Sequence, residues 1–200
     1  MEKNYSGKFI VFEGLDGSGQ STQAALLKKE LEEKNIPALL TKEPTDRPPI
    51  GTLVRQILKK EIVVNPQTLQ FLFCADRGEH LEKEITPALE KGNWVISDRY
   101  FYSTLANGAL DLDFNWLLKL NEKFLKPDIV FLLKTTPKTS LKRIDCRGQR
   151  EFFEQEQKLE KVWQNYERIS KITPEIKIID GEKSIAEVFE QIKFYMDEIK

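Results

Sequence analysis

The stretch from Lys8 to Lys34 restricts the fold more than any other part of the chain. A run of apolar residues, Phe9-Ile10-Val11-Phe12, breaks into Gly14-Leu15-Asp16-Gly17-Ser18-Gly19-Gln20-Ser21-Thr22, and helical spacing follows from Ser21 to Lys34. A buried strand that turns through glycines straight into a helix belongs to a parallel sheet, because the helix must carry the chain back over the sheet face. The same alternation continues. Runs rich in Val, Ile and Phe recur at Lys8 to Phe12, Ala38 to Thr41, Trp94 to Ser97, Ile129 to Leu133 and Ile176 to Ile179. The helical candidates are Ser21 to Lys34, Gly51 to Lys60, Pro66 to Glu90, Ser103 to Leu110, Phe114 to Phe124, Thr139 to Ile144, Phe152 to Lys171 and Ser184 to Ile199. Lys91-Gly92 supplies a stop for the third, and Ser184 with Glu187 a capping box for the last. The pattern predicts an α/β fold, a doubly wound five-stranded parallel sheet with helices on both faces. With 200 residues and no repeat or linker, one domain over residues 1–200 is expected. Ligands in such a sheet bind beyond the carboxyl ends of the strands.

The loop after the first strand matches GxxxxGK[ST] at every fixed position except the lysine, where Gln20 stands. It is a phosphate loop of the P-loop NTPase type in the right context, strand before and helix after. Gly14, Gly17, Ser18 and Gly19 let backbone N–H groups turn inward around a polyphosphate. The helix start at Gln20, Ser21 and Thr22 adds its positive end, and Ser21 can ligand Mg²⁺. The plainer reading is an ordinary glycine-rich turn. Absence of the lysine removes a cation that normally neutralises the transferring phosphoryl group. At about 3 kcal/mol, such a loss slows transfer on the order of a hundredfold and leaves a slow enzyme rather than a dead one.

Acidic and basic side chains nearly cancel, at a net charge of -1, so nothing in the overall charge points to nucleic acid or an acidic membrane. Cys74 and Cys146 stand in no disulfide or zinc spacing, and no stretch reaches the roughly 20 apolar residues of a membrane span. A chain without signal peptide in the reducing cytoplasm is expected.

Two further clusters carry chemistry. Phe73 and Arg77 lie four residues apart on one helical face, a ring beside a guanidinium that suits stacking on a base and bonding to its edge. Core packing for Phe73 and a surface cation for Arg77 are the plainer alternative. Asp98-Arg99-Tyr100 follows the third strand, where Asp98 can hold Mg²⁺ and Arg99 can grip a phosphate with its forked donors. A structural ion pair is the alternative there.

These motifs, in order FEGLDGSGQSTQ, TKEPT, LFCADRGEHLEKEITPAL, VISDRYFYSTLA, PDIVFLL and IIDGEKSIAEVFEQI, closely resemble the thymidylate kinase family over nearly the whole chain. The resemblance implies a nucleoside monophosphate kinase with ATP as donor, dTMP as acceptor, Mg²⁺, and commonly a homodimer. It implies that Asp16 contacts the sugar and acceptor phosphate region, Phe73 stacks on thymine, Arg77 reaches the base edge, and Thr104 approaches the base. Arg99 would bind the acceptor phosphate and Asp98 serve the metal. Glu43 and Pro44 would line the acceptor site, with Arg55 either holding the phosphate or solvated on its helix. The loop from Gly14 to Thr22 would bind ATP.

Arg143, Arg147 and Arg150 recur around Gly148 in the segment of about 142–152, the composition of a hinged lid closing over triphosphate. With Gly17 where some family members carry arginine, the chain resembles the bacterial arrangement in which lid arginines supply the catalytic cation. Lys134, where the family often has an aspartate, is a second candidate to replace the missing lysine. His80 reads as a helix-surface residue and Trp163 with Tyr166 as a packing face. A kinase for another nucleoside monophosphate, or a homologue that binds nucleotides without chemistry, are the rival readings. Asn107 stands where the family carries an aromatic that crowds the sugar 2′ position. Discrimination against ribonucleotides should therefore be weak: turnover on UMP beside dTMP is expected in a coupled assay, and strict rejection of UMP overturns this.

Overall fold

The computed structural model describes residues 5–145 and 156–196. Its strands are β1 (Phe9–Gly14), β2 (Ala38–Lys42), β3 (Trp94–Asp98), β4 (Ile129–Lys134) and β5 (Ile176–Asp180). They form one parallel sheet in the order β2-β3-β1-β4-β5. Every strand matches an apolar run of the sequence. The helices are α1 (Gln20–Glu33), α2 (Ile50–Leu58), α3 (Pro66–His80), α4 (Thr86–Glu90), α5 (Phe101–Gly108), α6 (Phe114–Asn121), α7 (Pro137–Asp145), α8 (Glu156–Ser170) and α9 (Ile185–Met196).

Strand residues alternate between two cores, as the twofold repeat of a strand requires. Phe9, Val11, Val95, Val130 and Leu132 pack with Leu105 of α5, Leu117 of α6 and Tyr166 of α8. Ile10, Phe12, Ile96, Phe131 and Leu133 pack with Ala24 and Leu27 of α1 and with Val188 and Ile192 of α9. Burial on both faces explains why β1 and β4 are almost wholly apolar in sequence. The chain passes from β1 to β2 on one side, and later from β3 across β1 to β4 on the other. The carboxyl end of β1 is therefore the switch point where such sheets bind ligands.

One expected helix differs. The span from Pro66 to Glu90 is α3, then a π-helical turn at Leu81–Ile85, then α4. Pro87 has no N–H to bond one helical turn back, and a wider turn just before it accommodates the ring. The capping box at α9 forms as expected: Ser184 N donates to Glu187 Oε2 at 3.0 Å and Glu187 N to Ser184 Oγ at 3.3 Å.

Phe131 is fully buried at the centre of β4, its ring 5.3 Å from that of Phe12. Phe131→Ala should cost about 3–5 kcal/mol, read as a lower denaturation midpoint with an unchanged slope.

Candidate active site

The loop leaving β1 is built on glycine conformations. Gly17 has φ +85°, and a Cβ there would lie 2.4 Å from the carbonyl oxygen of Ser140 in α7. The absence of a side chain thus lets α7 dock directly on the loop. Gly19 precedes α1 at φ 99°, and no side chain caps that helix. Its first N–H groups point at the crevice without a protein side-chain acceptor, the usual state of an anion site. Ser18 and Gln20 are buried, and Ser18 Oγ donates to Gln20 Oε1 at 3.0 Å. Gln20 therefore knits the loop together instead of presenting a charge. Thr22 is exposed on the first turn of α1.

Ser21 Oγ donates to Asp98 Oδ2 at 2.5 Å, joining the start of α1 to the end of β3. The other oxygen, Asp98 Oδ1, is buried and has no hydrogen-bond partner among the described residues. An oxygen pair with a spare, desolvated carboxylate atom fits Mg²⁺, which keeps most of its shell for phosphate and water.

Arg99 stands between the loop and α5. Its Nη1 donates to Gly14 O at 3.2 Å and Ser103 Oγ at 2.9 Å, while Nη2 pairs with Asp16. Burial opposes its charge, but the carboxylate of Asp16, reinforced by Glu13 and Asp98, raises its pKa further above the ordinary arginine value. Asp16 and Arg99 are each only partly covered, so the pair faces the crevice.

Arg77 is not a surface cation. It is 2% exposed; Nε donates to Glu43 at 2.8 Å, Nη1 to Asn121 Oδ1 at 2.7 Å and Nη2 to Thr104 Oγ1 at 2.9 Å. The guanidinium lies over the rings of Tyr100 and Phe124 at 5.3 and 5.2 Å. Burial again opposes the charge, but Glu43, Tyr100 and Cys74 together raise the pKa above the ordinary arginine value. Phe73, one turn earlier on α3, is half-buried and packs into neither described core, which leaves its ring available to a ligand.

The segment after β2 is anchored from below. Asp76 accepts from Thr45 N at 2.7 Å and Thr45 Oγ1 at 2.5 Å. Arg55 donates to the carbonyls of Pro44 and Thr45, so its charge is spent on this loop rather than on solvent. Glu43 is buried behind the loop and does not face the crevice. A cavity of about 330 Å³ opens beside it, lined by Thr45, Arg47 and Lys42 with Ser21 and Asp98. Asn107 turns back on its own helix, Nδ2 donating to Ser103 O at 2.9 Å.

Several residues differ from expectation. His80 is 1% exposed and lies against Glu43, Glu84 and Thr41 at 2.8 to 3.2 Å, because regular helical spacing puts it one turn after Asp76 and Arg77 on the buried face of α3. Lys134 leaves β4 beside the loop strand, but its ammonium meets Glu167 at 3.9 Å and the Trp163 ring at 5.6 Å. Tyr166 does pack, yet its hydroxyl bonds Glu13 Oε2 at 2.8 Å. Glu13 and Asn121 carried no signal in sequence, since their partners come from α5, α8 and α3. Arg143 donates to Ser18 O at 3.3 Å and Gly181 O at 3.0 Å. Arg147, Arg150 and the middle of the expected lid lie outside the described residues.

Comparison with known proteins agrees with this geometry. A family model described as thymidylate kinase matches residues 12–192. The probable thymidylate kinase of Pyrococcus horikoshii is 44% identical over 193 residues, covering 93% of this chain and 94% of that protein. The thymidylate kinase of Carboxydothermus hydrogenoformans is 35% identical over 199 residues, covering 96% and 97%. Among solved structures, the thymidylate kinase of Candida albicans, described with broad substrate specificity, superposes with a TM-score of 0.81 at 31% identity. That match covers 96% of this chain and 92% of the other.

The contact between Gly17 and α7 is open to direct test. Gly17→Ala should destabilise the protein by at least about 1 kcal/mol, since a left-handed backbone is costly with a Cβ. It should also weaken ATP binding as α7 is pushed from the loop. Thermal melting and an ATP titration check both.

Proposed function

Because the chain belongs to the thymidylate kinase family, we propose that it transfers the γ-phosphoryl group of ATP to the 5′-phosphate of dTMP, giving ADP and dTDP for dTTP formation. The observation that carries this reading is the contact of Arg99 with both Gly14 and Asp16. It sets a phosphate-gripping cation directly against the donor loop, the arrangement needed to hold two nucleotides end to end. The acceptor phosphate is already a nucleophile, so positioning and charge neutralisation dominate and no strong base is required.

In this reading Arg99 releases Asp16 in part to take the acceptor phosphate, and Asp16 turns to the sugar side. Phe73 lends its free ring face to the base. Arg77, fixed by Glu43, Asn121 and Thr104, directs its remaining N–H groups to the base edge, while Pro44 shapes the wall of the site. Arg55 and Glu43 serve that wall from behind. Ser21 and Asp98 would hold Mg²⁺, which when bound shields the phosphate oxygens. Backbone N–H groups of Gly17, Gly19, Gln20, Ser21 and Thr22 cradle the ATP phosphates, while that of Ser18 closes the loop on Leu15 O at 2.9 Å.

With Gln20 bound to Ser18, the missing charge falls to Arg143, Arg147 and Arg150. Lys134 is a poor candidate, being committed to Glu167 and Trp163. We place the enzyme in the cytoplasm as one kinase domain, and as a homodimer. Support for the dimer is the exposed ring of Phe71, which meets the partly exposed Trp116 edge-on at 5.7 Å. No helix among the described residues is long and apolar enough to cross a membrane.

The test is ADP release measured across nucleoside monophosphates, with and without Mg²⁺. Release that is fastest with dTMP and abolished by chelation is expected. Binding of ATP and dTMP with no ADP formed would favour a homologue that has lost its chemistry, the reading that Gln20 alone supports.

A further inference from the structure

Glu13 is a carboxylate at 1% exposure in the middle of an apolar strand, and burial raises its pKa. A buried carboxylate is costly unless its oxygens are fully occupied. Here they are. Glu13 Oε1 accepts from Tyr100 N at 2.9 Å and Ser103 N at 3.1 Å, and Oε2 from Ser103 Oγ and, at 2.8 Å, Tyr166 OH. Nothing in β1 needs this group for packing. Its donors instead surround a single residue, Arg99.

The backbone of Arg99 has φ +72°, a conformation rare outside glycine that persists only where neighbours enforce it. Each flanking group is held. Arg99 N donates to Phe12 O at 2.9 Å, Ser97 Oγ donates to Arg99 O at 2.7 Å, and the next N–H, of Tyr100, goes to Glu13. Glu13 thereby acts as the cap of α5, which has no side-chain cap at its own first position. Ser103 Oγ, bound to Glu13, also accepts from Arg99 Nη1. One carboxylate therefore fixes both the backbone and the side chain of the arginine. Tyr166 extends the cluster to α8, its hydroxyl lying 3.0 Å from Ser103 Oγ and 3.4 Å from Gly14 O.

We infer that Glu13 is a positioning residue for phosphoryl transfer, holding Arg99 ready for the acceptor phosphate, and that Tyr166 ties helix α8 to the same point. The inference rests on the reading of Arg99 as the acceptor-phosphate cation. Asp16 is the exchangeable partner of Arg99, on the open side. Ser103, held by Glu13 on the closed side, is the permanent one and keeps the guanidinium in place when Asp16 lets go. Loss of its charge should therefore weaken acceptor binding while leaving donor binding alone.

Glu13→Gln keeps the shape and an acceptor for the Tyr100 and Ser103 N–H groups, but removes the charge. Tyr166→Phe removes only the hydroxyl. For Glu13→Gln, dTMP should bind about tenfold to a hundredfold more weakly by calorimetry, with KM for dTMP raised in proportion and KM for ATP within about twofold of wild type. Tyr166→Phe should show the same split more weakly. Equal losses toward both nucleotides, or a lower melting temperature with unchanged kinetics, overturn the inference and leave Glu13 a structural group. Should Glu13→Gln fail to fold, the split or its absence in Tyr166→Phe decides. Wild-type protein that forms no dTDP defeats the underlying reading instead, and is scored separately.

Discussion

Hydrogen bonding along both edges of β1 fixes the carboxyl end of that strand, and the rest of the site is assembled against it. Gly14 pairs in register with Leu133 of β4, and Phe12 with Asp98 of β3. A Cβ on Gly14 would sit 2.8 Å from Leu133 O and 2.6 Å from Ser18 Oγ, so the strand end is closed in on two sides. Three separate elements then use what the strand presents. The loop folds over Gly14, Arg99 donates to its carbonyl, and Tyr166 reaches the same oxygen from α8. The glycine loop, Arg99 and α8 thus share one reference point. That is economical for a transfer reaction, in which a misplacement of about 1 Å costs on the order of a hundredfold in rate.

Charge is arranged in two tiers around this point. The inner tier is buried: Glu13 with four N–H and O–H donors, and Arg77 with one bond from each nitrogen, to Glu43, Asn121 and Thr104. Hydrogen bonds of this kind make buried charges rigid and specific rather than strongly stabilising. The outer tier, Asp16 with Arg99 and Ser21 with Asp98, is partly exposed and incompletely paired. Asp98 Oδ1 in particular lacks a partner among the described residues. Groups that must exchange protein partners for ligand sit in the outer tier, and groups that must not move sit behind them.

The sequence made the sheet legible because β1 and β4 are buried on both faces and read as apolar runs, while the partly buried edge strands β2 and β5 still keep short apolar stretches at Leu39-Leu40 and Ile178-Ile179. Asp16, Asp98 and Arg99 were legible for a related reason: they follow strands directly, so topology alone brings them to one edge. Arg77 and His80 were harder. Helical spacing puts Arg77 on the face of Phe73, but nothing local tells that Asn121, 44 residues away, and Glu43, 34 away, take its donors. Regular spacing puts His80 on the same face of α3 as Arg77, and that this face is buried depends on Thr41 and Glu43, 39 and 37 residues away. Glu13 carries no local signal, since its partners Tyr100 and Tyr166 lie 87 and 153 residues away.

The substitution of glutamine for the loop lysine has a consequence that depends on this layout. A lysine in that place would project its ammonium toward the transferring group, whereas Gln20 turns to Ser18 and stiffens the loop. The loop then offers only backbone N–H groups and the unopposed end of α1. Those bind ground-state phosphate well but follow charge migration poorly, since their positions are fixed by the strand and the helix. A cation that acts on the developing charge must therefore come from outside the loop. Arg143 already touches Ser18 O from α7, and that helix rests on Gly17 with no side chain between them. The glycine that deprives the loop of an arginine is also what allows α7 to bring one to it.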